Sequence, residues 1–347
     1  KNNRSIERNL RNNMGIKKIA VIGSKYFSGS HFIDYLLDNT DWKIIGISRS
    51  LEYPEVFLPY FANKDKGKRF KFFKLDLVDD FKELSVLLDR EKPEAVVNFA
   101  AQSNVPASWE NPGDWFRTNC LGIVRIASHL NKTKYLLKYI QISTPEVYGP
   151  CRNFKEDLNY YNPTTPYAAS KAAGDLFLIA LSWTRGFPAS FVRSANVYGS
   201  HQQPYRIIPS SVILIKKGKN IVLHGGAVKR NFIYIKDVAD GILRVIKKGK
   251  PGQVYHFSSG DNMTIRELVK VICNSLGVLF KKTVQDSPTK SGRERDKIYH
   301  LNYAATQREL NWRPKTSLSD GIDEVSEWVD KYWNKLSKYP LEYIHKK

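Results

Sequence analysis

The chain has 347 residues, 42% of them hydrophobic, and its 55 Lys and Arg outnumber 34 Asp and Glu to give a formal charge of +21. That is apolar content for a sizeable core and length for about two domains, while no apolar run reaches the roughly 18 residues a membrane span needs. Cys120, Cys151 and Cys273 are odd in number, far apart and outside any CxxC, so neither a disulfide framework nor a zinc site is expected, and a reducing, cytoplasmic setting is.

Residues 1–13 are polar and basic without an apolar stretch, and read as a tail rather than a secretory signal. A β-branched, apolar run at 18–22 leads into a Gly/Ser turn and a helix over 30–37. Strand signals recur at 42–47, 70–75, 95–99, 139–143 and 189–193, with helices over 81–90, 112–130 and 166–184 between them. Strands alternating with helices predict an α/β fold, a doubly wound, mostly parallel sheet with helices on both faces. After Asn196 short strands and helices mix, with turns at Gly225–Gly226 and Gly252. The segment 231–245 reads as a strand and helix that return to the first domain. An amphipathic helix over 317–336 carries Ile322, Val325, Trp328 and Val329 at helical spacing. The expected division is a dinucleotide-binding domain of 14–196 and 230–257, and a smaller mixed α/β domain of 197–229 and 258–336. Residues 337–347 are expected to be a second tail.

The turn Gly23-Ser24-Lys25-Tyr26-Phe27-Ser28-Gly29 follows the first strand and opens the first helix. A helix start there offers free N–H groups and a positive dipole end to a pyrophosphate. Two glycines six apart match the outer positions of a GxxGxxG turn, and Tyr26 replaces the central glycine. The second strand ends in Ser48-Arg49-Ser50, with no acid for a ribose 2′-hydroxyl. Arginine there accommodates a 2′-phosphate, so NADP is favoured over NAD. Asp76 and Leu77, after the third strand, read as adenine contacts, or Asp76 as a helix cap.

Thr164-Thr165-Pro166 supplies a cap and a first-turn proline, which places Tyr167 in the first turn of a helix. Lys171, four residues on, shares its face. An ammonium and a nicotinamide ring close to the phenol are expected to lower its pKa from about 10. A phenolate near neutral pH removes a hydroxyl proton while hydride leaves the same carbon. Ser143-Thr144 ends the fifth strand, where open α/β sheets hold their ligands, so Thr144 is placed to donate to the reacting oxygen.

These motifs, with Asn98-Phe-Ala-Ala-Gln102, Ser143-Thr-Pro-Glu-Val-Tyr-Gly149, Arg193-Ser-Ala-Asn-Val-Tyr-Gly199 and Arg230-Asn-Phe-Ile-Tyr-Ile-Lys-Asp237, occur in order. Together they resemble the extended short-chain dehydrogenase/reductases of the NAD-dependent epimerase/dehydratase family, Rossmann-like enzymes, over about residues 16–312. The resemblance implies a Thr144–Tyr167–Lys171 triad, a tightly held NAD(P)+ also touching Ala100, Ala101 and Asn119, and a homodimer through the helices near 112–130 and 166–184. The stretch 143–149 is similar to that of nucleotide-hexose 4,6-dehydratases of the dTDP-glucose and GDP-mannose types, which implies a nucleotide-diphosphate sugar as substrate. Glu146 aligns with their carboxylate base. Gln102, Asn196, Arg230, Arg293 and Arg295 align with substrate contacts. Tyr198 and Tyr234 read equally as core aromatics or ligand contacts.

Pro145 departs from that pattern, because it stands where the glucose-type enzymes carry an acidic proton donor and has no proton to give. Glu146 then does both jobs by way of water, or the elimination runs differently, or the reaction is a 4-epimerisation or a reduction. The charge leaves a further alternative, a non-catalytic nucleotide- or RNA-binding relative. The basic residues are scattered rather than gathered in a stripe, so a solvated surface without nucleic acid is expected.

Overall fold

The computed structural model describes residues 15–224, 226–287 and 298–343. Its frame is β1 (Lys18–Ile22), α1 (Phe27–Asn39), β2 (Lys43–Ser48), β3 (Phe70–Lys74), α2 (Phe81–Glu91) and β4 (Ala95–Asn98). Next comes α3, three helical segments end to end: Pro112–Phe116, a π-helical turn at Arg117–Leu121, and Gly122–Leu130. Then follow β5 (Lys138–Ile142), a 3-10 turn at Pro145–Tyr148, β6 (Cys151–Phe154), α4 (Pro166–Arg185) and β7 (Ala189–Ser194).

Seven strands form one parallel sheet in the order β12-β7-β5-β4-β1-β2-β3, in which β12 is Val254–Phe257. Central strands such as β4, Ala-Val-Val-Asn, are buried along their whole length. That is the pattern of a parallel sheet covered on both faces. One face is packed by α1 and returning helix α6 (Ile235–Lys248), the other by α2, α3 and α4. Helices α3 and α4 cross closely at Gly174, where an added Cβ would meet Ile123 Cδ1 at 2.7 Å and strike the Asn119 carbonyl. The π turn of α3 lies at that crossing, a common place for such a bulge near a functional site.

The remaining chain supplies β8 (Asn196–Tyr198), α5 (Ile207–Lys216), β9 (Ile221–His224), β10 (Lys229–Arg230), β11 (Phe232–Tyr234), β13 (Met263–Thr264), α7 (Ile265–Ser275), β14 (Val284–Ser287), β15 (Tyr299–Leu301), α8 (Ala304–Leu310) and α9 (Leu318–Lys331). Helices α5, α7 and α9 enclose a separate core with Tyr198 and Tyr234 inside it.

One expectation needs correction. The helix expected over 317–336 ends at Lys331, and a short turn at Trp333–Leu336 follows Tyr332. Leu310 and Trp312, expected in the smaller domain, belong to the core of the large sheet, where the Trp312 indole donates to the Asp237 carbonyl at 3.0 Å. Beyond 336, Tyr339 packs edge-on against Phe57 with ring centres 5.0 Å apart.

Candidate active site

Strand order reverses between β1 and β4, and a groove opens at the carboxyl ends of the strands there. Gly23, Tyr26, Ser48, Arg49, Asp76, Leu77, Ala100, Ala101 and Gln102 meet around it, joined by Ile22, Leu75 and Thr118. Gly23 has φ +81°, and a Cβ on it would stand 2.7 Å from the Ala100 nitrogen. Only glycine lets the turn and the β4 loop come so close. Helix α1 makes its first backbone bond from Ser30 N–H to the Tyr26 carbonyl at 2.8 Å. The N–H groups of Phe27, Ser28 and Gly29 precede it, at the positive end of the helix dipole. A cradle closed to any Cβ, with three helix-start donors, fits a dinucleotide pyrophosphate.

Tyr26 replaces the central glycine without strain. Its backbone is ordinary extended chain, φ −80° and ψ 161°, and its ring packs edge-on against Tyr53, 5.8 Å between centres. The Phe27 ring is buried against His31, so only its backbone can serve a ligand. Asp76 is not the cap of α2. It lines the groove, and its Oδ1 accepts from Val78 N–H at 2.7 Å and Asp79 N–H at 3.1 Å; the residue preceding α2 is Asp80.

Gln102 and Asn119 are hydrogen-bonded to each other beside the groove. Gln102, aligned with sugar contacts, lines the dinucleotide groove, and its amide oxygen accepts from both terminal nitrogens of Arg49 at 3.1 and 3.3 Å. Asn119 is fully buried. Its side chain accepts from Gln102 N–H at 2.9 Å and donates to the Gln102 carbonyl and the Ser170 hydroxyl, both at 3.0 Å.

The helix start expected before Tyr167 is present: Thr165 Oγ1 accepts from Ala168 N–H at 3.1 Å and Pro166 begins α4. Tyr167 and Lys171 are both buried, 8% and 1% exposed. The Thr144 hydroxyl acts on the Tyr167 phenol and caps the 3-10 turn, accepting from Glu146 N–H at 3.3 Å. Glu146 is half-buried, and its carboxylate acts on the phenols of both Tyr167 and Tyr299. A phenol, a hydroxyl and a carboxylate therefore lie together.

The electrostatics correct one expectation. Burial pushes the Tyr167 phenol up, and Glu146 adds to that; the Thr144 hydroxyl and the Arg206 charge oppose them. The Lys171 ammonium expected to lower it instead donates to the Ile142 carbonyl at 2.8 Å. Burial lowers Lys171 itself to about 8, against the pull of Asp175. Desolvation of a phenolate outweighs a cation that is turned toward a carbonyl.

Arg230 is half-buried on β10, and its charge acts on Tyr299 from the side opposite in sign to Glu146. Asn196 is exposed, with its amide donating to the Asn231 carbonyl at 3.0 Å. Arg293 and Arg295 lie outside the described residues. Tyr198 and Tyr234 are core aromatics, 2% and 1% exposed. Arg206, just ahead of α5, had no motif to mark it, yet its charge reaches Tyr167. No group of three or more His, Cys, Asp or Glu converges for a metal, and no helix is long and apolar enough to cross a membrane, among the described residues.

Seven parallel strands, a glycine turn at their switch point and a buried Tyr–Lys pair beside it mark an extended short-chain dehydrogenase/reductase. Residues 21–325 match the GDP-mannose 4,6 dehydratase family, and the chain belongs to it. The dTDP-D-glucose 4,6-dehydratase of Bos taurus is 32% identical over 333 residues, covering 90% of this chain and 88% of that one. A solved dTDP-glucose 4,6-dehydratase from Streptomyces venezuelae with NAD bound is 29% identical, covering 91% and 98% of the two chains at a TM-score of 0.79. A UDP-glucose 4-epimerase from Thermotoga maritima is 25% identical, covering 91% and 99% at 0.80. By enzyme class the chain is a nucleotide-sugar 4,6-dehydratase, a lyase that works with a nicotinamide dinucleotide.

Proposed function

We propose that the chain oxidises C4 of a nucleotide-diphosphate hexose, eliminates water across C5 and C6, and returns hydride to C6, as its relatives' dTDP-glucose 4,6-dehydratase name describes. The observation that carries this is Glu146 beside the Thr144–Tyr167 pair. A bound nicotinamide supplies the hydride acceptor and donor, and its positive ring favours the Tyr167 phenolate. Tyr167 Oη takes the proton of the C4 hydroxyl while Thr144 Oγ1 holds that oxygen. Lys171, on the same helix face, supplies a fixed positive charge. The C4 ketone acidifies C5, and the Glu146 carboxylate removes the C5 proton. Pro145 has no proton to offer, so the protonated Glu146 returns that proton to the departing C6 hydroxyl, which leaves as water. Glu146, recharged from solvent, protonates C5 as hydride reaches C6. Arg230 and Asn196 meet the substrate's phosphates in this reading, an anion that guanidinium binds in two-pronged fashion.

The test is incubation of purified protein and dinucleotide with dTDP-glucose, GDP-mannose and UDP-glucose. A 4-keto-6-deoxy product, lighter by one water, is expected from one of them. Conversion to the C4 epimer without water loss, an outcome that Pro145 leaves open, would overturn the dehydratase reading.

NADP is the proposed dinucleotide. Arg49 lines the groove at the end of β2, and the Lys25 ammonium bonds the Ser50 hydroxyl and, at 3.2 Å, the Leu51 carbonyl in the same loop. Titration calorimetry is expected to show Arg49→Ala weakening NADP by about tenfold to a hundredfold with NAD little changed, the loss of one charge-assisted hydrogen bond. Equal effects on the two would assign Arg49 another role.

A homodimer is proposed through the outer face of α3 and α4. Phe116 and Leu121 on α3 are 41% and 39% exposed, and Leu176 and Trp183, two turns apart on α4, 49% and 68%. Large apolar side chains gathered on one face mark an interface. Leu176→Glu is expected to give a folded monomer by light scattering; an unchanged mass would move the interface elsewhere. Three free thiols suit the cytoplasmic setting.

A further inference from the structure

Behind the Tyr–Lys pair lies a buried ion pair that the proposed chemistry does not use. Asp175 and Arg193 are both fully buried, with Arg193 Nη2 3.3 Å from Asp175 Oδ2. Asp175 follows Lys171 by four residues on α4, so the two share a face. Its Oδ2 also accepts from the Ser143 hydroxyl, next to Thr144, and from Tyr161 Oη at 3.4 Å. Its Oδ1 is buried without a hydrogen bond. A buried carboxylate with one bare oxygen is costly to keep for packing alone.

We propose that Asp175 is a positioning residue: its carboxylate keeps the buried Lys171 ammonium charged and, through Ser143, holds the Thr144 end of β5 against α4. This rests on Tyr167 and Lys171 being the redox pair. Asp175 is the charge that acts on Lys171, opposing its desolvation, and it also raises Tyr167. Removing a negative charge lowers every nearby pKa, so both titrations move to lower pH.

The other charges acting on Tyr167 are Glu146 on the 3-10 turn and Arg206 ahead of α5, while Arg193 on β7 pairs with Asp175 and donates to the Asp157 carbonyl at 3.1 Å. Tyr139, Tyr148 and Tyr161 are pushed up by burial, and burial holds His256, bonded to Tyr148 Oη at 2.8 Å, at about 3. These four stay neutral across the working range and do not imitate the shift.

Asp175→Asn tests the proposal in the holoenzyme. The turnover–pH profile is expected to move to acid by roughly one pH unit. The tyrosinate absorbance titration, read as the difference against a Tyr167→Phe background, is expected to move the same way. Ser143→Ala keeps the charge and loses the tether, so its profile falls in height and stays in place. Asp175→Asn leaves Arg193 without its carboxylate; should it melt before assay, Asp175→Asn with Arg193→Met removes both charges and is expected to shift in the same direction by less, because the Arg193 charge opposes that of Asp175. A profile at the wild-type position in a variant with wild-type melting would overturn the role of Asp175. An inactive wild type would instead overturn the redox reading beneath it.

Discussion

Tyr167→Phe is expected to lose turnover by about a thousandfold while folding and dinucleotide binding survive. The ring packs with Ala107 and Trp115, and phenylalanine keeps that packing. What disappears is the oxygen that Thr144 acts on, the group placed to take a proton from the C4 hydroxyl. A phenol pushed up by burial is a poor base until a cation joins it, so the site is inert toward alcohols before the dinucleotide binds. Steady-state turnover, with dinucleotide affinity measured in parallel, checks this. A variant that keeps more than a tenth of wild-type turnover would remove Tyr167 from the chemistry.

Glu146→Gln is expected to split the reaction. Proton removal at C5 should fall by about a hundredfold to ten-thousandfold, the usual worth of a general base. Oxidation at C4 should persist, so single-turnover absorbance is expected to show reduced dinucleotide accumulating. The direction of its pH dependence also follows. Glu146 raises the Tyr167 pKa, so removing its charge should move the oxidation step to lower pH. A 4-epimerase needs no C5 base. Full turnover in this variant would therefore favour epimerisation.

Much of the sheet was legible because parallel strands buried on both faces read as unbroken apolar runs, and Gly23, Gly29, Thr165 and Pro166 punctuate them. Val254–Phe257 gave no such signal, being four residues between a turn and Ser258-Ser259-Gly260, yet it completes the sheet beside β7. The packing partners were not legible where the chain trades segments: Phe27, Val56 and Phe57 enter the smaller core, and Leu310 and Trp312 the larger. Apolar periodicity says that a face is buried, not which neighbour buries it. The site's residue types were readable because Tyr167 and Lys171 are local in sequence. Their electrostatics were not, because Glu146, Asp175 and Arg206 act on them across space. The spacing of Lys171 and Asp175 was visible all along; only the packing of β7 and Ser143 against it gives it meaning.

The account stands on one sugar passing through oxidation, water loss and reduction within a single cleft. Its substrate, labelled with deuterium at C4 and turned over in ordinary water, tests this by mass spectrometry and proton NMR. The prediction is a product lighter by one water, with deuterium at C6 and solvent hydrogen at C5. Deuterium recovered at C4 of an inverted sugar, or solvent hydrogen alone at C6, would contradict it.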